Sequence, residues 1–443
     1  MKKQVFSIML LIGLLAACTP TAPPTTSPLD SPIAQSTIPP AVTGDMARSA
    51  LARETARTIP QQDTAALVAG NTAFAVDMYH ALRDQPGNLF YSPHSISTAL
   101  AMTYAGARGQ TAEEMAQTLH FTLPRERFYP AFNALDLALT TSQPATEDMQ
   151  PFTLDVVNSL WGERTYTFLP EYLDLLALHY GAGMRLTDYI GNPEGARQAI
   201  NAWVSEQTRE RIKDLIPAGA IDSDTRLTLV NAIYFKADWV FQFEERLTED
   251  GDFNLLDGSQ VTAAMMHWDI PNSVAYTSAP GYQAVELPYQ GGTASMVLLV
   301  PDAGKFAGFE SELTAAQLDA TLKNLERRSV QLSLPQFTFE SEFDLVRTLA
   351  GLGMPTAMSG GQADFSGMDG TRNLSIGAVI HKAFVAVDEK GTEAAAATAV
   401  TMRLTSLPME DVVLTVDRPF LFLIRDTDTG AILFIGRVMN PAQ

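Results

Sequence analysis

The stretch from Val387 to Val400 constrains this chain more than any other. It leaves an apolar, β-like segment at 383–387 through Asp388, Glu389, Lys390 and Gly391, then spends ten residues almost wholly on small side chains. The consecutive alanines Ala394, Ala395, Ala396 and Ala397 favour helix by intrinsic propensity. Thr392, Thr398 and Val400 are β-branched and favour extended structure. A segment pulled both ways suits a stretch with two conformations. Read as a strand, it sorts by parity. One face carries Thr392, Ala394, Ala396, Thr398, Val400 and Met402, all small or apolar, while the other carries both charges, Glu393 and Arg403. The same residues also read as an alanine-rich surface helix or linker, and on this segment alone both readings stand.

The chain has 443 residues and 46% hydrophobic content, ample for a large packed core. Its formal charge of −20 disfavours nucleic acid and anionic membrane surfaces as partners. No Lys/Arg cluster with interleaved aromatics offers a nucleic-acid footprint. The single cysteine, Cys18, follows a basic start (Met1-Lys2-Lys3) and an apolar run at 5–15, about the length of a signal peptide and too short to span a bilayer. Leu15-Ala16-Ala17-Cys18 resembles the bacterial lipobox, which implies cleavage before Cys18 and a lipid on its sulfur. The alternative is an ordinary secretory signal with an incidental cysteine. On either reading no disulfide is available and stability must come from packing. A lipid on Cys18 tethers the domain to a membrane without spanning it.

Residues 18–62 are rich in Pro, Thr, Ser and Ala and read as an extended tether, with a short helix at 45–58 as an option. Helical periodicity then appears at 65–82, 96–106 (Ser95 as cap), 112–119, 171–179 and 193–212, the last with Asn192 as cap and Pro193 at its first position. From 227 onward the pattern turns to strands: 227–235, 284–287, 295–300, 330–334, 376–387, 412–416, 420–425 and 431–438, with helices returning at 314–327 and 343–352. Helices first and antiparallel strands later argue for one mixed α+β domain.

Catalytic signatures are missing. There is no Gly-x-Ser-x-Gly elbow, no His-Glu-x-x-His and no paired cysteines, and the six histidines form no close pairs, so neither a metal nor a cofactor is expected. Ser92 and Ser95 with His381 as base suggest a hydrolase only superficially; a buried, mutually hydrogen-bonded polar cluster explains the same residues.

The run from Glu389 through Lys390, Gly391, Thr392, Glu393 and Ala394 to Thr398 resembles the hinge of the reactive centre loop of serpins. Downstream, Leu414-Thr415-Val416-Asp417-Arg418-Pro419-Phe420-Leu421-Phe422 is similar to the serpin signature, and Gly436-Arg437-Val438-Met439-Asn440-Pro441 to the family's C-terminal end. Upstream, Asn88-Leu89-Phe90-Tyr91-Ser92-Pro93, Leu229-Val230-Asn231-Ala232-Ile233-Tyr234-Phe235 and Leu332-Ser333-Leu334-Pro335 match in the same order. The resemblance spans about 63–443. It implies a serpin fold, with helices around a large central mixed sheet, two smaller sheets, and an exposed loop at about 389–411. It also implies a monomer that is not an enzyme but an irreversible suicide-substrate inhibitor of serine, and by extension cysteine, endopeptidases. The target protease would be held as a covalent acyl complex. A non-inhibitory carrier or chaperone is the alternative within the family.

By the same resemblance, Glu389 and Gly391 form the hinge, Thr392 enters the sheet first, and Ala394–Ala397 make insertion fast. Ser92, Ser95, Asn231 and His381 match the polar shutter beneath the sheet, and Trp239 the breach at its top, a position that any large core aromatic also suits. Counting along the loop from Glu389 places the scissile bond at Thr405–Ser406. The stretch to Pro419 is a few residues longer than usual, so Arg403–Leu404, open to a trypsin-like protease, and Leu404–Thr405, open to a chymotrypsin-like one, stay as alternatives.

Overall fold

The computed structural model describes residues 46–55, 57–140, 153–392 and 412–443. Along the chain come β1 (Met46–Ala47), α1 (Gln61–Leu82), β2 (Leu89–Tyr91), α2 (Pro93–Tyr104), α3 (Gly109–Thr118) and α4 (Arg125–Thr140). There follow β3 (Thr153–Glu163), α5 (Pro170–Tyr180), β4 (Met184–Thr187), α6 (Pro193–Gln207) and β5 (Leu227–Asp238). Next are β6 (Glu249–Asn254), β7 (Gln260–His267), β8 (Asn272–Ala279), β9 (Tyr282–Pro288), β10 (Ala294–Pro301), α7 (Phe306–Glu312) and α8 (Ala315–Lys323). The last part holds β11 (Glu326–Pro335), β12 (Phe337–Asp344), α9 (Val346–Leu352), α10 (Ser366–Asp369), β13 (Ala378–Val387), β14 (Gly391–Thr392), β15 (Val412–Thr415), β16 (Phe420–Asp426) and β17 (Ile432–Val438).

The central sheet runs β1-β4-β3-β5-β14-β13-β12 and is mixed. β3 pairs antiparallel with β5, β5 parallel with β13, and β13 antiparallel with β12. Period-two alternation divides β5 between two cores. Leu229, Ile233 and Phe235 face the main core, whereas Val230 and Ala232 face a second cluster built on Ala196, Ile200, Trp203 and Val204 of α6. α2 packs against β3, β5 and β17, and every one of its residues is buried. The two smaller sheets expected from the sequence are joined by hydrogen bonds into one. The first half of β11 pairs with β8 and its far end with β7, which carries the ladder from one to the other.

Local chemistry explains several boundaries. Ser92, not Ser95, caps α2: its Oγ accepts from the Ser95 N–H at 3.1 Å, and Pro93 supplies a first-turn residue with φ preset. Asn192 caps α6 as expected. α4 was not anticipated, since Pro130 lies within it; β2, β3, β4, β6, β7, β8 and β12 were also missed, and Phe343 and Asp344, expected to open a helix, instead end β12. The segment at 46–55 departs from the expected tether and optional helix. Met46–Ala47 add a strand to the edge of the central sheet beside Arg185 and Met184. The Arg53 guanidinium donates to Asn133 Oδ1 at 2.7 Å and to Asp136 Oδ2 at 2.6 Å, Asn133 donates back to the Glu54 carbonyl, and the Glu54 N–H donates to the Leu178 carbonyl. These partners lie on α4 and α5, so no local reading of the segment finds them.

Arg53→Ala leaves the Asp136 carboxylate without its guanidinium in a largely buried setting, and should lower unfolding stability by about 1–3 kcal/mol. A urea midpoint equal to that of the parent chain would show that the segment does not hold to the body in solution.

Candidate functional site: the seam of the central sheet

β5 and β13 are the only neighbours in this sheet, among the described residues, that pair directly over part of their length and are wedged apart over the rest. Thr228–Ile233 lie in parallel register with Ala378–Ala383. Higher up the strands separate, and β14 sits between them, antiparallel to both: Gly391 opposite Asp238, and Thr392 opposite Ala237 on one side and Val387 on the other. A Cβ on Gly391 would stand 2.1 Å from the Ala237 carbonyl oxygen, so close backbone approach requires glycine here. Thr392, expected to enter the sheet first, is already within it and 1% exposed. Its hydroxyl shares a hydrogen bond of 2.6 Å with the Tyr289 hydroxyl.

The turn that delivers β14 is tied down residue by residue. Asp388 Oδ1 accepts from the N–H groups of Lys390 and Gly391, and the Asp388 N–H donates to the Gly391 carbonyl. Burial raises the Asp388 carboxyl above the usual carboxylate range, against the lowering effect of those two N–H groups. Glu389 is buried, and its Oε1 accepts from Thr248 Oγ at 2.6 Å and Gln336 Nε2 at 2.7 Å. Lys390 reaches Glu245 at 3.4 Å. Trp239 grips the same turn twice: its backbone N–H donates to the Lys390 carbonyl and its indole N–H to the Asp388 carbonyl. Its ring stacks on Tyr289 with centroids 4.4 Å apart.

Below the wedge, a polar rung crosses the strands. Asn158 of β3, Asn231 of β5 and His381 of β13 are direct register partners. His381 Nε2 accepts from the Ser92 N–H at 3.1 Å, which leaves Nδ1 to carry the proton and donate to Asn231 Oδ1. Asn231 Nδ2 donates to Ser95 Oγ at 2.6 Å and to Asn158 Oδ1, and Ser95 Oγ donates to Asn158 Oδ1 at 3.0 Å. Ser92 Oγ donates to the Leu433 carbonyl at 2.6 Å. The structure therefore brings Ser92, Ser95, Asn231 and His381 together, with Trp239 at the far end of the seam. Complete burial lowers the His381 imidazole to about 3, so the ring is neutral in the folded state. No hydroxyl is bonded to the ring, which argues against a Ser–His nucleophile.

Tyr289, Asn158, Gln336 and Thr248 were not singled out from the sequence. Asn158 had a signal: it is the one polar side chain on a face of β3 otherwise made by Leu154, Val156 and Leu160. Tyr289, Gln336 and Thr248 had none, because their partners are distant in the chain. Glu393, Ala394, Ala395, Ala396, Ala397, the proposed bonds among Arg403, Leu404, Thr405 and Ser406, and the Cys18 leader lie outside the described residues. Among the described residues no group of His, Cys, Asp or Glu is arranged to hold a metal, and no helix is long and apolar enough to cross a membrane.

A mixed sheet whose parallel strands β5 and β13 are wedged apart by β14 defines a class, and the comparisons give it a name. The profile of the serpin (serine protease inhibitor) family matches residues 69–441, and this chain belongs to that family. An uncharacterized serpin-like protein of Thermococcus kodakarensis is 40% identical over 372 residues, covering 83% of this chain and 84% of its own. The leukocyte elastase inhibitor of Homo sapiens is 38% identical over 384 residues, covering 85% and 99%. Among solved structures, the thermophilic serpin tengpin in its native state superposes with a TM-score of 0.78 at 26% identity, covering 89% of this chain and 99% of that one. A thyroxine-binding globulin complexed with thyroxine gives 0.74 at 29%, covering 85% and 99%. Serpins are protease inhibitors rather than enzymes, although the family also includes a thyroxine-binding globulin.

The neutral His381 has a pH consequence. An unfolded chain protonates this imidazole as pH falls through about 6.5, while the folded chain resists until about 3. The stabilisation is thus complete above pH 6.5 and is lost progressively towards pH 3, with a slope approaching about 1.4 kcal/mol per pH unit. Urea midpoints of the parent chain should fall between pH 6.5 and 5 more steeply than those of His381→Gln. Parallel slopes for the two proteins would rule out this linkage.

Proposed function

We propose that this chain is an irreversible suicide-substrate inhibitor of serine endopeptidases, with cysteine endopeptidases as a second target class, and that inhibition proceeds by insertion of the cut loop into the central sheet. The observation that carries the reading is β14, two residues of the loop's entry seated antiparallel between two parallel strands. A strand continuing from it replaces one parallel ladder by two antiparallel ladders, the slightly more stable pairing per residue. The protease attacks the loop and forms an acyl-enzyme. The freed strand then lengthens β14 as β-augmentation from within the same chain. Ten inserted residues at about 3.3 Å each carry the acylated protease roughly 33 Å, far enough to deform its catalytic groups before deacylation.

Register specifies what must open. Asn231 lies six residues before Ala237, and His381 six before Val387. Thr398 lies six beyond Thr392, so continuation in the same register brings Thr398 between Asn231 and His381, where its hydroxyl can meet the polar groups parted by insertion. Alanines at 394–397 keep the intervening path free of bulk. We assign the scissile bond to Thr405–Ser406, with Arg403–Leu404 as the alternative. We further propose that 1–17 is a signal peptide, that Cys18 carries a lipid, and that a tether beginning there presents the serpin domain, as a monomer, on an extracytoplasmic membrane face of a bacterium. The basic start, apolar run and Leu15-Ala16-Ala17-Cys18 support that assignment.

Incubated with a panel of trypsin-, chymotrypsin-, elastase- and subtilisin-like proteases, the chain should give an SDS-resistant complex with at least one, and loop cleavage should raise its melting temperature. Thr392→Arg forces a charge into the sheet interior and should convert the inhibitor into a substrate that is cut without complex formation. Equal inhibition by that variant would sink the insertion mechanism. Cleavage with no complex and no rise in melting temperature, by contrast, would favour a carrier role like that of the thyroxine-binding relative.

A further inference from the structure

We propose that Tyr289, which directly follows a strand of the other sheet, is the positioning residue that holds Thr392 in the seam and so sets how readily the cut loop begins to insert. The inference rests on the insertion reading above and names a part of the machinery that the hinge residues do not contain. Tyr289 directly follows β9, and its position is fixed by backbone bonds on both sides: its N–H donates to the Ala294 carbonyl, the Val240 N–H to Pro288, and the Gln290 N–H to Asp238. It also forms a β-bridge with Trp239. Its ring is fully buried, stacked on Trp239 and edge-on to Phe235 at 5.1 Å, so it has little freedom to turn elsewhere.

That rigidity makes the hydrogen bond to Thr392 asymmetric. If Thr392 leaves the seam, its own hydroxyl is carried out with the chain to water, but the Tyr289 ring, held by its packing on Trp239 and Phe235, cannot follow and its hydroxyl loses this partner. The unpaired phenol therefore favours the seated state. The first rung of the inserted strand is present before any protease acts, and extension starts from a formed pair rather than from a loop end that must be found. The same bond explains why threonine is needed at 392 for more than its small size. Valine has nearly the same shape and would leave the phenol unpaired.

Tyr289→Phe, Thr392→Val and the double variant, each made in the full chain, test this with two readouts. In the absence of protease, peptides spanning 388–392 should take up deuterium faster in either single variant, by about fivefold for a hydrogen bond of ordinary net strength. With a protease that the parent chain traps, each single variant should raise the stoichiometry of inhibition while leaving the acylation rate unchanged. The double variant, with both partners apolar and of matched shape, should return both readouts towards the parent values. Unchanged uptake in the single variants would overturn the proposal, as would a double variant whose effects simply add. If the parent chain traps no protease at all, the inhibitor reading fails, and the uptake comparison alone then decides the role of Tyr289.

Discussion

The parallel pairing of β5 with β13 is the constraint on which the rest of the structure depends. Six residues on each strand hold the sheet closed, and above them Gly391 and Thr392 hold it open. Parallel ladders carry slanted hydrogen bonds and are slightly weaker per residue than antiparallel ones. β3 and β4 are also paired in parallel, but among the described residues only the β5–β13 pair is already wedged by a third strand, so this seam is where another strand can replace a parallel ladder by two antiparallel ones. The direction of β14 is the one that replacement requires.

The seam is closed by polar groups in an otherwise apolar interior. The rung of Asn158, Asn231 and His381, with Ser92 and Ser95 beneath, gives each strand a specific partner, and a missing one leaves a buried donor or acceptor unsatisfied. Such a rung can re-pair with a newcomer that brings its own hydroxyl, something an aliphatic contact cannot specify. Neutrality of His381 is part of this arrangement, because a charged ring could not accept the Ser92 N–H.

The elements that flank the seam come from distant parts of the chain. Tyr289 and Trp239 hold the top, and Gln336 and Thr248 receive Glu389. At the opposite edge, residues 46–55 bind β4, α4 and α5 through Arg53 and a short strand. A segment that lacks a hydrophobic pattern of its own thus joins the body through backbone pairing and one guanidinium.

Much of the inner architecture was legible along the chain. The strands expected at 227–235 and 376–387 and the cap and proline of α6 are local patterns that the structure keeps, and Thr392, the first residue of the small-residue parity, is buried in the sheet. The grouping of Ser92, Ser95, Asn231 and His381 was legible only through resemblance, since a lone Asn or His on an apolar face does not name its partner. Local reading failed where local signals conflict or are silent: Pro130 inside α4, the strand at 46–47, and the exchange of partners along β11 that fuses two sheets. The sequence by itself determined which side chains are small, apolar or β-branched enough to line a seam, because periodicity and propensity are properties of neighbours in the chain. Only the tertiary structure decided that Thr392 rests in that seam against Tyr289, because a hydrogen bond between residues 103 positions apart exists only once the sheets have packed.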